Sequence, residues 1–322
     1  MSTHTVPNGI HAVLILGDNR LATSIISSLV HGTDTEARYA LHQAVHQQSL
    51  ASATSDLTIH PCDFSAGSLA TLFGQIKPDV LFSTFSGGSL ETQRTIIDAA
   101  VSSGIKRFVP SEFGQDSQNA ALQERLPPLR GRSQVIDYLK ELSKGDKIEW
   151  VAAATGTQLD QALISGNIGF DFKWQSVTIH GTGKEQFAAS STNWNGAVTT
   201  GILRHWEQVK NQYLYASGLV TSANACLDAL QTATGQKWET GTNDVEDMVR
   251  EGQQRIDRGF PDAGMFLLEK SVLCDESLGA MKPFQQQDAK EKLGLSGEDL
   301  ASLVKRTVHD FKHHGKGDCG CG

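Results

Sequence analysis

The stretch Ala12-Val-Leu-Ile-Leu16, followed by Gly17-Asp-Asn-Arg20-Leu21-Ala22, decides the fold. Five apolar residues in a row, without polar alternation, read as a strand covered on both faces, as in a parallel sheet. A glycine comes next, and after it Leu21, Ile25 and Leu29 share one helical face, so the chain turns tightly into a crossover helix. At that position a dinucleotide-binding fold has its glycine-rich turn, where backbone N–H groups and the helix N-terminus hold a pyrophosphate. Only Gly17 remains of the usual glycines. Arg20 or a one-residue deletion takes the close-approach position, while Ala22 is small enough for close helix–strand packing. Arg20 can compensate in part through charge-assisted hydrogen bonds to phosphate. The competing reading is an ordinary strand-to-helix turn with no cofactor.

Outward from this turn the pattern repeats. Apolar or β-branched runs at 38–42, 57–60, 80–83, 106–109 and 149–154 read as further strands. Their starts lie about 20 to 45 residues apart, which leaves room for a crossover helix each time and excludes hairpins. The fold class is therefore α/β, a doubly wound parallel Rossmann-type sheet. The second strand, expected to end at Ala40-Leu41-His42-Gln43, should distinguish NAD from NADP. It offers no acid for a ribose hydroxyl, which leans to NADP with His42 or Arg38 as helpers. From Gln158 the pattern loosens into short strand-like pieces, 176–180 and 213–216, mixed with helices. Asn243-Asp-Val-Glu246 and Ser296-Gly-Glu-Asp299 read as capping boxes that open two of them. Residues 1–157 then form a dinucleotide-binding domain, 158–312 a smaller α/β substrate and lid domain interleaved with it, and 313–322 a flexible tail.

Composition narrows the function classes. Twenty-eight Lys and Arg against 36 Asp and Glu leave a net charge of −8, with no concentrated basic face for nucleic acid or an anionic membrane. The five cysteines, Cys62, Cys226, Cys274, Cys319 and Cys321, are scattered, and no apolar run reads as a signal or a spanning helix, so a reducing cytoplasmic setting is expected. Cys319-Gly-Cys321 is not the Cys-x-x-Cys spacing of zinc or redox sites, and no metal is expected. P-loop, His-Glu-x-x-His and nucleophile-elbow motifs are missing, which argues against triphosphatase, zinc hydrolase and serine hydrolase chemistry.

The segment 56–115 is the most specific. It contains Cys62-Asp63-Phe64, Asp79-Val-Leu-Phe-Ser-Thr84, Gln93, Ile97-Asp98-Ala99-Ala100 and the block Arg107-Phe-Val-Pro-Ser-Glu-Phe-Gly114. With Gly156, Ile179-His-Gly-Thr-Gly183, Asn195-Gly196 and Thr234-Gly-Gln-Lys-Trp238, this resembles the isoflavone-reductase-like, or NmrA-like, family of atypical short-chain reductases across nearly the whole chain. The resemblance implies an NADP-binding Rossmann domain, a small C-terminal substrate domain and action on a small aromatic or conjugated metabolite. By position it implies that Gly17, Asn19, Arg20, Leu21, Gln43, Thr84, Phe85, Pro110, Ser111, Glu112 and Phe113 line the cofactor. It also implies a catalytic Lys on the helix after the Pro-Ser-Glu-Phe-Gly loop, and the matching position here is Arg132.

That departure alters the chemistry. A desolvated lysine can give up its proton and act as a base, whereas a guanidinium stays protonated, so Arg132 can serve only as a fixed donor to a developing phenolate or enolate. Tyr39, Tyr138, Tyr213 and Tyr215 each lack a Lys four residues on, so the usual short-chain-dehydrogenase dyad is missing too. Glu112 and His180 are the other acid–base candidates, with Asp116 beside them. Phe172, Trp174, Trp194 and Phe260 are candidate aromatic walls. The expected function is an NADP-dependent reductase of a small aromatic or conjugated metabolite. The damaged glycine turn and the missing Lys keep two alternatives open: a non-redox isomerase or cyclase of the same fold, and a non-catalytic dinucleotide-sensing regulator. A homodimer is an open assembly.

Overall fold

The fold is taken from a computed structural model, which describes residues 7–31, 39–46, 54–85 and 90–314. Arg38 and the Cys319/Cys321 pair lie outside the described residues. The first half runs β1 (Ala12–Leu16), α1 (Arg20–His31), β2 (Ala40–Val45), β3 (Leu57–Pro61), α2 (Ala66–Ile76), β4 (Val80–Ser83), α3 (Leu90–Ser102), β5 (Arg107–Val109), α4 (Ala120–Arg125), α5 (Pro128–Lys144) and β6 (Glu149–Ala154). The second half continues with β7 (Thr157–Gln158), α6 (Leu159–Ser165), β8 (Phe170–Asp171), β9 (Ser176–His180), β10 (Phe187–Ser190), α7 (Thr192–Arg204), α8 (Trp206–Val209), β11 (Gln212–Tyr215) and β12 (Leu219–Thr221). It closes with α9 (Ala223–Thr234), β13 (Glu239–Asn243), α10 (Val245–Asp257), α11 (Pro261–Ser271), α12 (Lys282–Gln286) and α13 (Leu300–His314).

Seven strands form one sheet in the order β11-β6-β5-β4-β1-β2-β3, every neighbouring pair parallel. From β1 the chain winds outward through β2 and β3, then crosses to β4 and winds the other way. The crevice at the carboxyl ends of β1 and β4 is thus the switch point where open α/β sheets take ligands. Strand β1 explains the two covered faces. Val13 and Ile15 point into a core with Ile25 of α1 and with Val198 and Ile202 of α7, whereas Leu14 and Leu16 point into another with α2, α3 and α5. All four are fully buried, and each such side chain contributes about 1.5–3 kcal/mol of transfer free energy.

The second half is not a separate cap. It gives the sheet its edge strand β11 and gives one face its covering helix α7. Helices α1 and α7 meet at Gly196, whose N–H donates to Ser24 Oγ at 3.1 Å, and a Cβ there would lie 2.5 Å from the Ser24 carbonyl oxygen. Two three-stranded sheets, β12-β10-β7 and β13-β9-β8, pack with α6, α9 and α13 around a smaller core.

The strands expected at 12–16, 80–83, 149–154 and 176–180 have those bounds. Strand β2 differs, starting at Ala40 and running to Val45, because its register follows β1 to the end: Leu16 pairs with Ala44. The capping boxes shift as well. Asp244, not Asn243, caps α10, its Oδ1 accepting from the N–H groups of Glu246 and Asp247 at 2.8 and 3.1 Å. Before α13, which starts at Leu300, Asp299 and not Ser296 caps, accepting from Ser302 N–H at 2.8 Å, while the neighbouring Glu298 carboxylate accepts from the N–H and hydroxyl of Ser191 at 2.7 and 2.6 Å. Among the described residues no helix is long and apolar enough to cross a membrane.

Candidate functional site

The turn after β1 is held by its own neighbours. Gly17 has φ +109°, and a Cβ there would lie 2.4 Å from Thr84 Oγ1, so both conformation and space require glycine. Its N–H donates to the Ala44 carbonyl at 2.9 Å and its carbonyl accepts from Gln43 Nε2 at 2.8 Å. Thr84, just past β4, donates to the Leu16 carbonyl through both its N–H and its hydroxyl, at 3.0 and 2.7 Å. Asn19 spans the switch point: its Nδ2 donates to the Thr84 carbonyl at 2.6 Å, and its Oδ1 accepts from Ala22 N–H at 3.1 Å, capping α1. These side chains lock the crevice into one shape with the first turn of α1 at its floor.

Across the crevice, the loop 110–114 meets α5 in a charged network. Glu112 is buried, and its carboxylate accepts from Arg132 Nε and Nη2 at 3.1 and 3.2 Å and from the Tyr213 hydroxyl at 2.9 Å. The Tyr213 oxygen in turn accepts from Ser117 N–H at 3.1 Å. One residue pair further along β11, the Tyr215 hydroxyl donates to Asp116 Oδ2 at 3.3 Å, while Asp116 Oδ1 accepts from Gln118 N–H at 2.8 Å. Burial raises the carboxyl pKa of Asp116. It raises the phenol of Tyr213 further, well above its ordinary value, with the Glu112 charge adding to the effect. For Arg132, burial works against the cation, but the charge of Glu112 outweighs it, and the guanidinium is held above its ordinary value. The result is a neutralised ion pair, with a quarter of the Arg132 side chain exposed. That exposed edge lines a small cavity with Phe85, Pro110, Ser111 and Val135.

Two more cavities lie in the second half. One runs between Gln115 and the segment after α11, walled by Val272, Leu273, Met281 and Phe284 and edged by Gln186 and Gln285. The other, which shares Phe187 and Leu273 with it, is lined by His180, Glu185, Lys270 and Cys274. His180 is buried at the end of β9. Desolvation, with the charge of Lys270 adding to it, pushes its pKa down to about 4, so the imidazole is neutral near pH 7. Among the described residues no group of three or more His, Cys, Asp or Glu side chains is arranged to hold a metal ion.

A family model described as the NmrA-like family matches residues 20–295. The chain belongs to the NmrA-like family. A relative from Aspergillus flavus, oxidoreductase aprR, is 28% identical over 301 residues, 92% of this chain and 99% of that protein. Among solved structures, the pinoresinol-lariciresinol and phenylcoumaran benzylic ether reductases align with TM-score 0.71 at 15% identity, over 92% of this NmrA-like chain and 98% of that one. Leucoanthocyanidin reductase from Vitis vinifera, solved as a binary complex with NADPH, aligns with TM-score 0.69 at 14% identity, over 92% and 99%. These two likenesses establish the fold.

Within this NmrA-like fold, the residues that the resemblance singled out divide into groups. Gly17, Asn19, Leu21 and Thr84 gather at the switch point, where Leu21 is buried beneath the turn. Phe85, Pro110, Ser111, Glu112 and Arg132 line one cavity, and Phe113 is buried in the core beneath the sheet. Gln43 does not stand at the strand's end: β2 continues past it, and its amide holds the Gly17 carbonyl. His42, expected to help at the same place, shares a hydrogen bond at 3.0 Å with His60 on β3. Arg20 reaches sideways to α6, donating to Gln161 Oε1 at 2.6 Å. His180 lines a cavity apart from the Glu112–Arg132 pair. Of the candidate aromatic walls, Trp194 is buried with its indole N–H on the Ala216 carbonyl, Phe172 packs on Trp238, and Trp174 and Phe260 are exposed. Sequence reading considered Tyr213 and Tyr215 only as members of a short-chain-dehydrogenase dyad, which it excluded, and did not single out Lys270. The alternation Tyr213-x-Tyr215 signalled one strand face, but not that the strand joins the sheet beside β6.

Proposed function

We propose that this chain is an NADP(H)-dependent reductase-like enzyme acting on a small aromatic or conjugated metabolite. The observation that carries the reading is the switch-point turn. Gly17 allows only backbone at the crevice, Asn19 and Thr84 hold it open in one shape, and α1 begins there with its N-terminal dipole. The residues present fit a dinucleotide: the backbone from Gly17 to Leu21 would hold the pyrophosphate, and the cavity of Phe85, Pro110, Ser111 and Arg132 would take the nicotinamide end. NADPH bound there supplies a hydride. Arg132, fixed by Glu112, would then act as a stationary donor toward negative charge developing on the substrate, without transferring a proton. Support also comes from the relative named an oxidoreductase and from the reductase solved with NADPH.

A second reading, a non-redox isomerase or cyclase, is favoured by one feature. The group standing where a proton-shuttling lysine is expected is a guanidinium already forked onto Glu112. Fluorescence titration with NADPH and NADH tests the first reading: quenching that saturates, tighter for NADPH, is expected, and no quenching at millimolar ligand refutes it. Turnover of a conjugated substrate with and without NADPH separates the two readings, because product formed without NADPH oxidation rules out the reductase.

A further inference from the structure

The cavity beneath β9 and the end of α11 contains polar groups only partly satisfied by the described residues. His180 is nine-tenths buried, and its Nδ1 has no hydrogen-bond partner. Lys270 sits in the same wall with its ammonium 4.7 Å above the Phe266 ring, and no carboxylate among the described residues pairs with it. The third group is Glu185. Its Oε1 accepts from the N–H and hydroxyl of Thr182 at 3.0 and 2.9 Å, whereas its Oε2 is buried without a donor. The rest of the lining is apolar, chiefly Ile168, Phe170, Phe187 and Leu273. A half-buried cation without a counter-ion and an unpartnered imidazole each cost free energy that a bound anion would return, since buried polar groups are stable only when paired.

We propose that this cavity recognises the carboxylate of a small organic acid with an apolar, hydroxylated body, the carboxylate pairing with Lys270 and accepting from His180. The neutral imidazole contributes an N–H without a second positive charge, and its tautomer is free to choose because Nδ1 is not otherwise used. Against burial, the Thr182 N–H and hydroxyl hold Glu185 ionised through one of its oxygens; the other accepts from a hydroxyl on the ligand. The walls Phe187 and Leu273 are shared with the neighbouring cavity that opens toward Gln115. An acid anchored at Lys270 would therefore extend its body toward the loop that carries Glu112. The inference deepens the proposed function by naming a substrate class, and rests on that reading only for the claim that the acid is turned over.

The test is direct binding without cofactor, so its failure is distinct from failure of the NADPH titration. Isothermal titration would compare 4-hydroxybenzoate with its methyl ester, which keeps the shape and removes the charge. The acid is expected to bind at least tenfold more tightly than the ester. Lys270→Met, which keeps the aliphatic stem, is expected to abolish that advantage, and Lys270→Arg to retain most of it; thermal unfolding of both variants reports whether they fold. Equal affinity for acid and ester, no binding of the acid at 10-millimolar order, or an advantage that persists in Lys270→Met would each overturn the proposal.

Discussion

Replacing Gly17 with alanine tests the geometry of the switch point most sharply. The substitution acts in two ways that can be separated. Alanine at φ +109° is strained wherever it sits, by about 1–3 kcal/mol. Independently, the new methyl would stand 2.4 Å from Thr84 Oγ1, so either the strand end moves or Thr84 rotates away from the Leu16 carbonyl. Overpacking of that kind costs about 1–3 kcal/mol, and the displaced hydrogen bond about 1 kcal/mol. Gly17→Ala is thus expected to lower the unfolding free energy by about 3–7 kcal/mol, read from denaturant melts at constant m-value. Thr84→Ala alone loses about 1 kcal/mol, because Leu16 keeps the Thr84 N–H as donor. Combined with Gly17→Ala it removes the obstructing oxygen but not the backbone strain. The double variant should therefore be more stable than the sum of the singles by about 2–4 kcal/mol, the relieved overpacking plus the one hydrogen bond that both singles lose. Additivity of the two changes, to within about 0.5 kcal/mol, would mean that Thr84 is not what forbids a side chain at residue 17.

Two further outcomes follow from the charged and titratable groups. Arg132→Lys keeps the charge but cannot fork onto both oxygens of Glu112, so a loss of about 1–2 kcal/mol in unfolding free energy is expected, discounted for the exposed quarter of the side chain; a variant as stable as the parent would show that the fork does not anchor the 110–114 loop. His180 is neutral in the folded protein down to about pH 4 and titrates near 6.5 when unfolded. Its contribution is therefore complete above pH 6.5 and is lost as pH falls from 6.5 to 4, in total about 3 kcal/mol. Asp116, whose carboxyl is raised by burial, and His42 and His60, whose imidazoles are lowered by burial, also titrate differently on folding. The measurement is therefore the difference in stability between the parent and His180→Leu across that window. Parallel pH profiles for the two would contradict a buried neutral imidazole at residue 180.

The sheet was legible because its signal is local: each strand is a short apolar run, and each crossover helix has a periodic face, as in Ala12–Leu16 and the helix that carries Leu21 and Ile25. Gly17 was legible for the same reason, since a glycine between such a strand and helix has few other uses. Arg132 was singled out by the resemblance, which implies a Lys at that position, and its inability to act as a base follows from guanidinium chemistry alone.

What Arg132 touches was not in the sequence. Glu112, Arg132 and Tyr213 come from a loop, a helix and a strand separated by 20 and 101 positions, and only the placement of β11 beside β6 brings the Tyr213 hydroxyl onto the Glu112 carboxylate. Strand β2 shows the same division at smaller scale. Composition marks a strand near residue 40, but pairing with β1 carries it to Val45 and sets the Gln43 amide on the Gly17 carbonyl. Local pattern determined which segments are strands and helices, because that depends on neighbours in the chain. Register, ion pairing and the protonation of His180 depend on groups far away in sequence, and only the folded chain sets their distances.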